Sequence, residues 1–176
     1  VRVVNDLRTI SPELPFELRF QEITAPEHVI SFDGFWLKAF KVNHSIACYG
    51  YSMIVERAGR FDKERAVEQQ IPMKLWSRLQ KGETIEQDGV VFTPDMVLGA
   101  PRKGLKVTYC TDSRPADSIV ANAEDSDLLI LEGMYGEADK LSKARENKHM
   151  TMYEAASIAK AAKVSELWLT HYSPSL

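Results

Sequence analysis

Three short apolar runs in the last third of this chain each end at a side chain that can bind metal, and this feature limits the possible folds more than any other. Residues 106–111 lead into Asp112, residues 128–131 into Glu132, and residues 167–170 into His171. Helical stretches at 116–124 and 151–163 separate them, so the segment reads as β-α-β-α-β. In such units ligands bind beyond the carboxyl ends of the strands, where loops free of packing duty carry polar groups into one crevice. Two carboxylates and an imidazole at one sheet edge are donors that zinc and manganese accept, which points to a metal-assisted hydrolase. Each residue also has a structural role open to it. Asp112 could cap the helix after Pro115, Glu132 could accept backbone hydrogen bonds, and His171 could be a satisfied histidine closing a core strand.

Upstream, alternating apolar patterns at 16–23, 34–40 and 49–56 predict strands of a half-buried sheet, and the last two bracket Asn43-His44-Ser45, which puts His44 at a strand end. From 57 to 104 the composition changes. A polar helical stretch at 62–70, Pro72, a short helix at 75–79 and then Gly82, Gly89, Pro94, Gly99, Pro101 and Gly104 suggest an inserted arm within a single domain spanning 1–176. Its charges are dense but mixed in sign, as on any solvated surface.

His149 stands two residues before Thr151, and Thr151-Met152-Tyr153-Glu154 fits a capping box opening a helix of high propensity. Unpaired backbone donors beside an imidazole would suit a phosphate oxyanion, with His149 giving a proton to a leaving oxygen or stabilising charge on the phosphate. The plainer alternative is a surface histidine in the polar loop of Lys143, Arg145, Glu146 and Lys148. His28, in Ala25-Pro26-Glu27-His28, reads as an exposed loop residue.

Composition excludes little else. A net charge of −3 argues against wholesale electrostatic coating of nucleic acid, while leaving room for a local basic patch. No apolar run is long enough to cross a bilayer. Cys48 and Cys110 lack the spacing of a zinc knuckle or a disulfide framework, so a reducing cytoplasm is the expected home. The opening residues Val1-Arg2-Val3-Val4-Asn5 lack an initiator methionine and a secretory leader, as a fragment would.

Taken in order, His44-Ser45-Ile46-Ala47-Cys48-Tyr49-Gly50-Tyr51, Gly59-Arg60-Phe61-Asp62, Thr111-Asp112-Ser113-Arg114-Pro115, Leu131-Glu132-Gly133, the run from His149 to Ala156, and Leu169-Thr170-His171-Tyr172-Ser173-Pro174 resemble the ribonuclease Z family. Those proteins are tRNA 3′-processing endonucleases of the metallo-β-lactamase superfamily, and the likeness runs along nearly the whole chain. It implies an α/β fold, the C-terminal portion of a metallo-β-lactamase-like αββα sandwich. It further implies that His44 binds one metal, that Asp112 bridges two, and that His171 binds the second. His149 matches the family's catalytic histidine near the scissile phosphate, and Glu132 takes a supporting role, orienting His149 or a metal ligand. Two zinc ions, or manganese in their place, would generate the nucleophile and neutralise phosphate oxygens. The implied substrate is precursor tRNA, gripped through its phosphates by Lys74, Arg78 and Lys81 of the arm. The implied assembly is a cytoplasmic homodimer in which each arm serves the other subunit.

The sequence also departs from the family pattern. It has no His-x-His-x-Asp-His motif, so His44, Asp112 and His171 leave each zinc short of its usual four ligands. The chain by itself is therefore expected to bind metal poorly and cleave little. Ile71-Pro72-Met73-Lys74-Leu75-Trp76 stands where a Gly-Pro-rich motif is usual, Thr111-Asp112-Ser113 where Gly-Asp-Thr is usual, and Ser175 where arginine is common. Two rival readings are a hydrolase of small phosphodiesters such as cyclic nucleotides, and a non-catalytic half-domain.

Overall fold

Strand pairing follows the apolar alternation of the chain closely. The computed structural model describes residues 2–9, 13 and 15–173, so Ser175 and its departure from the family pattern lie outside the described residues. The elements run α1 (Arg2–Arg8), β1 (Glu27–Phe32), β2 (Phe35–Lys41), β3 (Tyr49–Arg57), α2 (Lys63–Glu68), α3 (Met73–Gln80), β4 (Ile85–Gln87), β5 (Val90–Phe92), β6 (Arg102–Cys110), α4 (Asp117–Ala123), β7 (Leu128–Glu132), α5 (Leu141–Glu146), α6 (Met152–Ala161) and β8 (Leu167–Thr170). A mixed six-stranded sheet has the order β1-β2-β3-β6-β7-β8. The first four strands pair antiparallel, and β6, β7 and β8 pair parallel. The parallel half is the expected β-α-β-α-β unit, and it brings the carboxyl ends of β6, β7 and β8 to one edge.

One face of the sheet carries the core. Phe40, Cys110, Leu129 and Leu131 pack there against Ile119 and Ala123 of α4 and against Ala155 and Ile158 of α6. Full burial of a leucine or phenylalanine side chain contributes roughly 1.5–3 kcal/mol. Ser52, Thr108 and Ser126 are buried on the same side, and their hydroxyls bond one another and the carbonyl of Asn122. The register puts Met53, Leu105, Tyr109 and Trp168 on the opposite face, where they are exposed. The fold is thus the expected mixed α/β type. Of the αββα layers, the described residues supply this sheet and one helical layer.

A second, separate cluster joins Ala66, Ile71, Leu75, Leu79, Ile85 and Val97, with Phe61, Trp76, Phe92 and Leu98 packed against it. Its α2 is capped by Asp62, whose side chain accepts from Arg65 N at 3.0 Å.

Two expectations are corrected. Residues 16–23 form no strand, because among the described residues no strand pairs with their backbone, and Phe16 and Phe20 remain exposed. The edge strand is β1 instead, so His28 is not a loop residue. It sits half-buried in β1, its ring 2.7 Å from the Gln21 amide. The β4–β5 hairpin was not anticipated, although its turn is Asp88-Gly89 with both residues at positive φ (54° and 76°), which is a strong local hairpin signal.

Candidate metal centre

Each residue expected at the site is delivered by the end of an element. Asp112 follows β6, Glu132 ends β7, and His171 follows β8, while His44 lies between β2 and β3 and His149 precedes α6. Asp112 and His171 adopt left-handed backbone with φ of 52° and 57°, and Lys148 beside His149 has φ 61°. Side chains other than glycine occupy that region at a cost on the order of 1 kcal/mol or more, which the surrounding packing must offset.

The side chains converge. His171 Nε2 lies 3.0 Å from Asp112 Oδ1, and His149 Nδ1 lies 4.0 Å from the same oxygen. His44, Asp112 and His149 each offer a ligand atom within 4.8 Å of the other two. Ring centroids are 5.2 Å apart for His44 and His149, and 5.3 Å apart for His149 and His171. His149 therefore lies beside both other imidazoles. The expected trio of His44, Asp112 and His171 shares this neighbourhood, but the tightest group of three includes His149 in place of His171.

Hydrogen bonds hold the His44 and His149 rings in place. Glu132 is fully buried, and its carboxylate takes Ser113 N at 2.6 Å and Met150 N at 3.2 Å. The same carboxylate lies 3.1 Å from His149 Nδ1. A carboxylate accepts, so His149 donates from Nδ1, the same nitrogen that lies 4.0 Å from Asp112. His44 Nδ1 is 3.0 Å from the carbonyl of Lys148, which likewise only accepts, so this nitrogen donates. Histidines that bind metal show this arrangement, with the second nitrogen donating to a carboxylate or carbonyl. A donor set of imidazole nitrogens and a carboxylate oxygen within a few ångströms fits zinc or manganese.

The cysteines do not add to that set. Burial, reinforced by the charge of Glu132, pushes the Cys110 thiol up to about 12, so it is a neutral core side chain. Burial followed by the charge of Asp112 raises the Cys48 thiol as well.

Three contributors escaped the sequence reading: the carbonyl of Lys148, the amide of Ser113, and Arg114. The Arg114 guanidinium donates to the carbonyl of His149 at 2.6 Å and to both carboxylate oxygens of Glu154. Glu154 also completes the expected capping box with Thr151 at the start of α6. The motif containing Arg114 was visible, but nothing local showed where its side chain would reach.

A family model described as the beta-lactamase superfamily domain matches residues 56–172, which include Asp112, Glu132, His149 and His171. The chain belongs to that superfamily. It is similar to ribonuclease Z of Lachnoclostridium phytofermentans, 61% identical over 175 residues that cover 99% of this chain and 58% of that protein. Ribonuclease Z of Agathobacter rectalis is 59% identical with the same coverage. That of Clostridium kluyveri is 46% identical over 177 residues, covering 100% of this chain and 58% of the relative. The chain thus spans little more than half the length of these relatives. Among solved structures, the short form of human tRNase Z superposes with a TM-score of 0.53 at 22% identity, over 85% of this chain and 41% of that one. The metallo-beta-lactamase fold protein YhfI of Bacillus subtilis gives 0.52 at 23% identity, over 86% and 42%. Both likenesses establish the shared superfamily fold. Among the described residues no helix is long and apolar enough to cross a membrane.

Proposed function

We propose that this chain contributes the Asp112-centred part of the active site of a metal-dependent phosphodiesterase, one that at full length removes the 3′ trailer from precursor tRNA. The convergence of three imidazoles on the carboxylate of Asp112, just after β6, carries this reading, in a chain 61% identical to a ribonuclease Z. His44, Asp112 and His171 are assigned as the residues that would hold metal, zinc or manganese. When bound, zinc supplies Lewis acidity, which activates water at neutral pH and neutralises phosphate oxygens.

The chain's own residues do the rest. His149, as an imidazolium whose Nδ1–H stays on Glu132, gives its other ring proton to the leaving oxygen. Glu132 fixes the ring through Nδ1 and is itself held by two buried amides, so the imidazole cannot turn without breaking that set. The segment 57–104 acts as an inserted arm, and its separate core supports that division. On the arm, Lys74, Arg78 and Lys81 grip tRNA phosphates, although Arg78 already pairs with Glu83 at 2.7 Å. A cytoplasmic homodimer completes the reading. With three ligands assigned, the chain as given binds metal weakly and turns over little.

The test uses the protein expressed at its full encoded length. His149→Ala is expected to lower cleavage of precursor tRNA with zinc content intact, whereas Asp112→Ala loses zinc and activity together. Loss of zinc from the His149 variant would make that residue a ligand and overturn its assigned role. Hydrolysis of cyclic nucleotides with no cleavage of precursor tRNA would replace the substrate assignment.

A further inference from the structure

We infer that Arg114 is a positioning residue for His149, holding the His149 carbonyl and the Glu154 carboxylate at once so that the imidazole keeps its place beside Asp112. The inference rests on the assignment of His149 as the proton carrier.

Arg114 lies two residues after Asp112 and works in two directions. Its backbone N donates to the carbonyl of Asn43 at 2.8 Å, and Asn43 N donates to Ser113 Oγ at 3.1 Å. Residues 112–114 are thereby pinned to the loop that presents His44. The guanidinium reaches the other way. Its Nη1 donates to His149 O at 2.6 Å and to Glu154 Oε2 at 2.9 Å, while Nη2 donates to Glu154 Oε1. Backbone and side chain of Arg114 together therefore couple the loops carrying His44, Asp112 and His149.

An arginine beside a phosphodiesterase centre would ordinarily be read as a clamp for substrate phosphate. Here the geometry argues otherwise. The fork is engaged by Glu154 and a main-chain carbonyl, and side-chain exposure is only 13% for Arg114 and 22% for Glu154. Burial alone would raise the Glu154 carboxyl, but hydrogen bonds from Arg114, then from Thr151, outweigh it and hold the group below its ordinary value. The fork thus faces a charged partner within the protein.

The contact is also more than a helix cap. Thr151 N and Thr151 Oγ1 already bond Glu154, which closes the box without Arg114. What Arg114 adds is a bond to His149 itself, in a stretch outside regular structure next to left-handed Lys148. His149 has two other anchors, its N on the carbonyl of Ala144 at 2.9 Å and its Nδ1 on Glu132. The guanidinium belongs to the segment that carries Asp112, and Glu132 reaches the same segment by accepting from Ser113 N. A misplacement of about 1 Å in a catalytic group costs on the order of a hundredfold in rate. A lysine supplies the charge without the planar fork.

The experiment compares Arg114→Gln, Arg114→Lys, His149→Ala and the double variant Arg114→Gln/His149→Ala in the zinc-loaded protein at full encoded length. Arg114→Gln is expected to lower kcat about tenfold or more with KM and zinc content unchanged, and Arg114→Lys to recover part of that loss. In the His149→Ala background Arg114→Gln should cost nothing further, because its effect passes through the missing imidazole. Independently of turnover, NMR of labelled histidine side chains should show the His149 resonances moved or broadened by Arg114→Gln and those of His28 unmoved. Equal losses in both backgrounds, a raised KM at unchanged kcat, or unmoved His149 resonances would each overturn the inference. If His149→Ala leaves turnover intact, the proton-carrier role fails, and the NMR comparison still decides whether Arg114 positions the ring. Should Arg114→Gln not fold, Arg114→Lys carries the same comparisons.

Discussion

Replacing Glu132 with alanine should destabilise the chain more than most single changes, and the structure sets the size. Glu132 is fully buried, and three N–H groups converge on its carboxylate, from Ser113, Met150 and His149. Ser113 and Met150 are themselves fully buried, so both amides would lose their acceptor with no route to bulk water. A buried donor left unsatisfied costs about 1–3 kcal/mol, which puts the two amides together at roughly 2–6 kcal/mol. The half-buried His149 ring can turn to water and adds less. Against a domain stability of about 5–15 kcal/mol this is a large fraction. In a chain of this length each kcal/mol lowers Tm by about 2–4 °C, so a drop on the order of 10 °C is expected. Glu132→Gln keeps the volume and one acceptor oxygen but turns an amide donor toward an N–H group, so it should fall between wild type and Glu132→Ala. Urea unfolding followed by tryptophan fluorescence gives the order of stabilities, and hydrogen exchange at Ser113 and Met150 reports the orphaned amides directly. Glu132→Ala within about 1 kcal/mol of wild type, with both amides still protected, would refute the reasoning.

The Arg114–Glu154 pair makes stability depend on acid. Its carboxyl is held below the ordinary value of 4.5, so the stabilisation is fully present above that pH and is lost as pH falls through the folded-state value. The Tm gap between the chain and Arg114→Gln should be widest near neutral pH and close below pH 4.5. A gap of the same size at both ends would exclude the pair as its source. The uncovered sheet face predicts self-association, because Met53, Leu105, Tyr109 and Trp168 all present apolar area to solvent. Sedimentation velocity should show species that grow with concentration and that revert to monomer in a Tyr109→Lys/Trp168→Lys variant. A monodisperse monomer at all concentrations would count against this.

The legible parts of the site were those whose cause is local. Asp112, Glu132 and His171 could be read because each terminates an apolar run, and the capping box of Thr151 and Glu154 because a helix start is written within four residues. The apolar alternation at 16–23 misled because the same pattern becomes a strand only when another backbone lies beside it, and none does. His28 was misplaced for the complementary reason, since Pro26 and Glu27 look like a loop until β2 supplies the pairing. The Asp88-Gly89 turn carried a local signal that the flanking three-residue strands were too short to reinforce.

By itself the sequence determined the β-α-β-α-β order, the edge at which polar residues gather and the residue types found there, all consequences of periodicity and of what ends a strand or starts a helix. Only the tertiary structure decided that His149 lies beside both His44 and His171, that Glu132 holds its ring, and that Arg114 turns inward to its carbonyl. Those contacts join residues 17 to 104 positions apart, and a chain encodes such pairs through the packing of its whole core, where no short stretch can show them.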